Sequence, residues 1–447
     1  MRAIDTLLEA AWLIPVEPHA QVLEQHAVAI DQGQIIAIRP IAAARAEFAA
    51  RERVDLGRHL LIPGLVNAHT HAAMSLMRGL ADDLPLMTWL QQHIWPAEGA
   101  LVSPEFVADG VELATAEMLR GGTTCANDMY FFPEVAAEVY ARLGMRACLG
   151  LIVMEFPTPY ARDPDEYFRK GTALADQLRG HPSIQTCFAP HAPYTVSDAS
   201  FKRVRTYADQ MGLRIHCHIH ETALEVDEGR RQHGERPLAR LKRMGLLGDD
   251  LIAVHMTQLD ASEIELCARM GLSVAHCPES NLKLASGFAP VQSLLQAGVN
   301  VAIGTDGAAS NNDLDMLGEM RSAALLAKAV SGNAAAMDAA TALRCATLGG
   351  AKALGLDDRI GSIEVGKRAD LVALRCDSLD QLPLYQPTSH LVYCASRRDV
   401  SDVWVDGQRR VREGIVLGVD ADDLAQRARR WGLRVRQAVA KAGSSPP

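Results

Sequence analysis

No two cysteines in the chain are spaced C-x-x-C, although nine are scattered through its 447 residues. That absence disfavours both a structural zinc knuckle and a disulfide framework, and leaves the thiols as small apolar core residues. Long hydrophobic runs are missing as well. The opening segment "MRAIDTLLEAAWLIPVEP" has its apolar stretch broken by Glu9 and stopped at Pro15, so it is a poor signal peptide and too short to span a bilayer. There is no surplus of positive charge, since the formal net charge of -9 argues against broad attraction to nucleic acid or anionic lipid. These absences predict a cytoplasmic protein that handles small molecules, with neither nucleic acid nor membrane as a partner.

What is present is an ordinary globular composition, 48% hydrophobic and 22% charged, over a length that suits one large α/β unit with a smaller satellite. From about residue 60 to 306, eight β-rich runs alternate with helical segments. They are "HLLIPGLVNAHTH", "GGTTCANDMY", "RACLGLIVM", "IQTCFAPH", "LRIHCHIH", "LIAVHMT", "LSVAHC" and "NVAIGTD". Between the first two, "SPEFVADGVELATAEMLRGG" opens with Ser103 as N-cap and Pro104 at the first helical position, and closes on a glycine pair. No G-x-G-x-x-G follows the first run, which disfavours a doubly wound dinucleotide-binding sheet. The expected fold is therefore α/β, a (β/α)8 TIM-type barrel. Flanking it, "AVAIDQGQIIAI" reads as a hairpin, and "LVALRC" and "VSDVWVDGQRRV" read as strands. The predicted organisation is a small β-sandwich domain built from both termini, residues 1–59 and 370–447, with the catalytic barrel, 60–369, inserted between them. Asp422 to Lys441 reads as a terminal helix whose arginines form a solvated face.

Ionisable residues gather at the C-terminal ends of the predicted barrel strands, where such folds carry their sites. His69 and His71 end the first run, His191 the fourth, His218 and Glu221 the fifth, His255 the sixth and Asp306 the eighth. Any one of these histidines alone reads as a structural residue; their recurrence at one end of successive strands does not. His69 and His71 share a strand face with Cβ atoms about 6.5 to 7 Å apart, a spacing from which both imidazoles reach one cation. A third nitrogen and a carboxylate from other strands would complete a catalytic zinc site, and an ion held that way makes hydroxide near neutral pH. That chemistry points to hydrolysis.

The segments "PGLVNAHTHAAMSLMRGLADDLPLMTWLQQHIWPAE", "HIHET", "VHMT", "HCPESNLKLASG", "GTDGAASNN" and "GSIEVGKRADLVAL" occur in that order over nearly the whole chain. Together they resemble the amidohydrolase superfamily, and within it the 5'-methylthioadenosine/S-adenosylhomocysteine deaminases. The resemblance implies one Zn2+ per subunit, with Fe2+ or Mn2+ as substitutes, held by His69, His71, His218 and Asp306. Glu221 would protonate N1 of an adenine nucleoside as hydroxide adds to C6, His255 would orient that hydroxide, and Asp306 would take the proton of the attacking water. Glu98 would hydrogen-bond the ribose hydroxyls and His191 would contact the nucleoside. In "GLADDLPLMTWLQQHIW", Leu86, Met87, Trp89 and Leu90 offer an apolar wall for the base or its 5' substituent. A homodimer or homotetramer acting on a small-molecule nucleoside is the expected assembly.

Some relatives carry an arginine after the third strand that reaches the ligand; here "VMEFPTPYARDPDEY" places Glu155 near that point and Arg162 further on. The absence of lysine from "IQTCFAPH" favours one metal over a lysine-bridged pair. The cytidine-deaminase combination of H-x-E with P-C-x-x-C is missing too. The alternatives are another amidohydrolase, such as a guanine or triazine aminohydrolase or a cyclic-amide hydrolase, and an inactive metal-binding homologue. In "RIHCHIHET", alternation puts His216, His218 and His220 on one face; His218 at the strand mouth is the ligand, while His216 and His220 default to structural roles. For Glu221 to turn back over the site, the strand must break near His220.

Overall fold

The computed structural model describes residues 1–444. All eight predicted barrel runs form strands, joined in chain order into one eight-stranded sheet from Leu65–Thr70 to Asn300–Ile303. The pairings are parallel. Every residue of Leu65–Thr70, Thr123–Asp128 and Arg146–Val153 is buried, as strands covered on both faces require. The sheet curls until its first and last strands meet. The Asp306 amide donates to the His69 carbonyl at 3.0 Å, and a Cβ at Gly304 would lie 2.8 Å from the His69 nitrogen, so only glycine permits that approach. The result is a nearly closed (β/α)8 barrel.

The first run differs from the single strand expected of it. His59–Pro63 belongs to a second sheet, and the barrel strand starts only at Leu65. Gly64 separates them, where any side chain would meet Thr124 at 2.0 Å. The helix Pro104–Arg120 begins as predicted, with the Phe106 amide donating to Ser103 Oγ at 3.2 Å.

The second sheet has nine mixed strands from both chain ends. Arg2–Leu13 lies within it, antiparallel to Leu23–Asp31 and parallel to Phe48–Asp55 and His59–Pro63. His59–Pro63 in turn pairs with Leu371–Arg375, which leads to Val400–Val405 and Gln408–Arg412. The predicted hairpin turns at Gln32-Gly33, and a second one, within the segment read as strand, turns at Asp406-Gly407, all four residues with positive φ. Both faces are buried: Leu8 and Ala10 join one apolar cluster, and Leu7, at the alternate position, joins the other.

The chain divides into two compact units. One comprises Met1–Asn67, Ala116–Cys125 and Asp315–Gly418; the other comprises Ala68–Thr115, Ala126–Leu314 and the chain from Val419 onward. The terminal helix, Ala421–Ser444, is docked by some of its basic face instead of being solvated all round. Arg427 pairs with Asp109 and with Glu112, and Trp431 Nε1 donates to Asp109 Oδ2 at 2.7 Å. Eight cysteines are buried and only Cys394 is exposed, all as free thiols. No helix among the described residues is long and apolar enough to cross a membrane.

Candidate active site

Backbone geometry at the strand ends sets the site. His69 occupies the first barrel strand and His71 follows it; His218 is the penultimate residue of the fifth strand, which ends at Ile219. His255 ends the sixth strand, and Asp306 lies three residues beyond the eighth. His220, His255 and Asp306 have φ of 53°, 72° and 60°, a left-handed conformation costly for residues with a side chain and concentrated in proteins where function demands it. The fifth strand thus breaks at His220, as Glu221 required.

The predicted ligands come together. Asp306 Oδ1 lies 3.2 Å from Nε2 of His69 and 3.2 Å from Nε2 of His71, while Nε2 of His71 and His218 are 3.4 Å apart. Metal-ligating atoms of His69, His71 and Asp306 fall within 4.8 Å of one another, as do those of His69, His218 and His255. The far side of each ring is tied down. His71 Nδ1 donates to the Met129 carbonyl at 2.5 Å and His218 Nδ1 to the His191 carbonyl at 2.6 Å. Because a carbonyl only accepts, each neutral ring must present its Nε2 lone pair inward. Two lone pairs and a carboxylate oxygen facing one another call for a cation among them, so the donor set fits a divalent metal with mixed nitrogen and oxygen ligands. Without a cation a proton takes its place: burial opposes charge on His71, yet its hydrogen bond to Asp306 holds the imidazole up at about 9. Burial likewise opposes charge on Asp306, but His69 and His71 keep its carboxyl far below the usual range.

His216 supports a predicted ligand, its Nε2 2.9 Å from His69 Nδ1. His220 is structural, its Nε2 accepting the Leu238 amide at 3.2 Å.

Glu221 and His255 flank the ligands, with Glu221 Oε1 3.9 Å from His255 Nε2. Burial, reinforced by Asp306 and offset by His71, pushes the Glu221 carboxyl up to about 8. His255 is held neutral by burial, and its Nδ1 lies 2.9 Å from Asn281 Oδ1. These groups open on a cavity of about 680 Å3, partly open to solvent, which Glu98, Trp89 and His191 also line. Glu98, raised to about 7 by burial against the pull of Tyr130 and His71, accepts the Tyr130 hydroxyl at 2.7 Å. Of the expected apolar wall, Leu86, Trp89 and Leu90 face this cavity, whereas Met87 does not line it. A wide π-type turn at Leu90–Ile94 joins their short helix to the one carrying Glu98.

Sequence reasoning missed the residues that hold these groups in place. Ser280 and Ser310 donate to Asp306 Oδ2 at 2.6 and 2.8 Å. Asp128 Oδ1 accepts the Ala72 amide at 3.0 Å just after His71. Glu225 accepts the amides of His220 and Glu221 at 2.9 and 2.7 Å. A signal for Glu225 was available in Thr222-Ala-Leu-Glu225, a capping-box spacing.

The amidohydrolase family pattern matches residues 60–410, most of the chain. This chain belongs to the amidohydrolase family. A relative from Teredinibacter turnerae called 5-methylthioadenosine/S-adenosylhomocysteine deaminase is 48% identical to this amidohydrolase, over 96% of this chain and 97% of its own. Among solved structures, an adenosine deaminase from Xanthomonas campestris with bound zinc superimposes with a TM-score of 0.96 at 57% identity, covering 98% of this chain and 99% of that one. Guanine deaminase from E. coli shares the fold more distantly, with a TM-score of 0.81 at 25% identity over 91% of this chain and 99% of its own.

Proposed function

We propose that this amidohydrolase is a zinc-dependent hydrolytic deaminase of adenine nucleosides, converting 5'-methylthioadenosine, S-adenosylhomocysteine or adenosine to the inosine analogue and ammonia. The observation that carries the reading is the convergence of His69, His71, His218 and Asp306 beside a protonated Glu221, with Glu98 lining the same cavity. Similarity to proteins named for this reaction supports it.

Zinc bound by the four ligands, or iron or manganese in its place, would supply a Lewis acid that makes water nucleophilic near neutral pH. Asp306 takes a proton from the attacking water, and Ser280 and Ser310 fix the carboxylate so that one oxygen faces the reaction. His255 presents a neutral Nε2 that orients the nucleophile, because its Nδ1 is occupied by Asn281. As oxygen bonds to C6, Glu221 gives its proton to N1, so that no negative charge builds on the ring. A proton relayed from Asp306 to the exocyclic nitrogen then lets the C6–N6 bond break and ammonia leave; the C6 hydroxyl gives up its proton as the carbonyl forms, and that proton restores Glu221 to its acid form. Glu98 keeps one oxygen on Tyr130 and offers the other to the ribose hydroxyls. His191, its Nδ1 held 2.9 Å from Thr195 Oγ1, contacts the nucleoside, and Trp89 walls the base.

The same reading carries a catalytic barrel over residues 60–369, a cytoplasmic location and a homodimer or homotetramer in solution. Ammonia release measured on adenosine, 5'-methylthioadenosine, S-adenosylhomocysteine, guanine and cytosine tests it, with turnover expected on adenine nucleosides alone. Release from guanine but from no adenine nucleoside would overturn it. Glu221→Gln is expected to keep its metal and lose nearly all turnover, since an amide cannot shuttle a proton.

A further inference from the structure

Beyond Glu98 the site continues into a second cavity of about 770 Å3, partly open to solvent. Trp95, Glu98, Phe131 and Met154 line both cavities, and Phe156 lines the second alone. Its walls are apolar: Glu98 is the one charged residue among those lining it. The Thr158 hydroxyl there is already engaged, 2.7 Å from the Tyr167 phenol. The two charged residues of the neighbouring segment turn elsewhere. Glu155 Oε1 accepts the Ser197 amide at 3.0 Å, and Arg162, its side chain 82% exposed, pairs with Asp163 at 3.3 Å and Glu166 at 3.7 Å. Neither lines either cavity.

If the deaminase reading holds, on which this step rests, C6 at the metal ligands and ribose hydroxyls at Glu98 send the 5' carbon toward this second cavity. We propose that it is a 5' subsite selecting uncharged thioether substituents, methylthio and longer alkylthio groups, over the amino-acid tail of S-adenosylhomocysteine. A thioether sulfur and its methylenes gain apolar contact against Phe131, Met154 and Phe156. The tail's carboxylate and ammonium would give up water there without meeting a cation, and the carboxylate would approach that of Glu98. Gly99 marks the open part of the subsite, since a Cβ at that position meets nothing within 4 Å.

The test is kcat/KM of the zinc-loaded protein, read by ammonia release, on adenosine, 5'-methylthioadenosine, 5'-butylthioadenosine and S-adenosylhomocysteine. The methylthio compound is expected about tenfold above adenosine, the low end of what one added group earns in an apolar pocket. The butylthio compound should match or exceed it, while S-adenosylhomocysteine, of similar length but charged, should fall at least about tenfold below the butylthio compound. Gly99→Leu should lower turnover of the butylthio compound more than that of adenosine, and Gly99→Arg should narrow the deficit of S-adenosylhomocysteine. Wild-type turnover of S-adenosylhomocysteine equal to that of the butylthio compound overturns this inference alone. So does a Gly99→Leu protein that loses activity equally on all four. No turnover on any of them overturns the deaminase reading itself.

Discussion

Glu221 depends on a second carboxylate that never faces the substrate cavity. Glu225 is buried, and its two oxygens take the amides of His220 and Glu221 at the left-handed break that swings Glu221 over the ligands. Removing those acceptors leaves two buried N–H groups unpaired, at a cost of about 1–3 kcal/mol each, and frees the turn. Glu225→Ala is therefore expected to lower kcat by roughly 10- to 100-fold with a smaller change in KM, and Glu225→Gln, which keeps one acceptor, to recover part of the loss. Equal kcat in all three proteins would show that the turn holds itself. The pH dependence belongs to the same residue. Burial and Asp306 place the Glu221 carboxyl at about 8, and a dication on the ligands offsets the share due to Asp306. In the proposed mechanism Glu221 acts as an acid, so its raised value keeps it protonated at neutral pH and activity is lost as the pH rises through that value. We expect kcat/KM to fall at or somewhat below about pH 8, and a profile flat through pH 10 would contradict the assignment.

At the scale of strands and turns, legibility followed how locally each feature is encoded. The eight barrel strands were readable because each is a short apolar run bounded by turn residues, and the His69 and His71 pair because its spacing is set within one short segment. The break at His220 was readable from chemistry, since alternation alone aims Glu221 away from His218. The division of "HLLIPGLVNAHTH" between two sheets was not, because Gly64 is demanded by Thr124, a contact some 60 residues away in the chain. For the same reason Ser280 went unassigned: its partner, Asp306, is remote in sequence and reached only through the barrel, whereas Ser310 lies just four residues beyond Asp306. Closure rests on Gly304, where a Cβ would meet the His69 nitrogen at 2.8 Å and the His69 Cβ at 2.9 Å. Gly304→Ala should push the first and eighth strands apart, costing about 1–3 kcal/mol and weakening metal retention because His69 and Asp306 move against each other. A Gly304→Ala protein with unchanged melting temperature and metal content would mean that the strands can yield there freely.

In the molecule as a whole, the proposed metal ligands come from three strands far apart in the chain but all within one compact unit, the one that holds residues 68–115 and 126–314. The nine-stranded sheet, in the other unit, contributes none of them. A cation that binds this folded set and not the unfolded chain stabilises it by mass action, about 2.7 kcal/mol when its free concentration is 100 times its dissociation constant. Without it, a proton on His71, whose imidazole Asp306 holds up at about 9, sits where the cation would bind. Exhaustive chelation should therefore lower the melting temperature by a few degrees and abolish turnover, and one equivalent of zinc per chain should restore both. Trp89, Trp95 and Trp431 lie in the ligand-bearing unit and Trp12 and Trp404 in the other, so single-tryptophan variants can report which unit's transition the metal moves. His69→Ala is expected to melt at one temperature whether or not zinc is present. A wild-type protein that also melts identically with and without zinc, or that needs two equivalents to recover, would be incompatible with a single cation bound by His69, His71, His218 and Asp306.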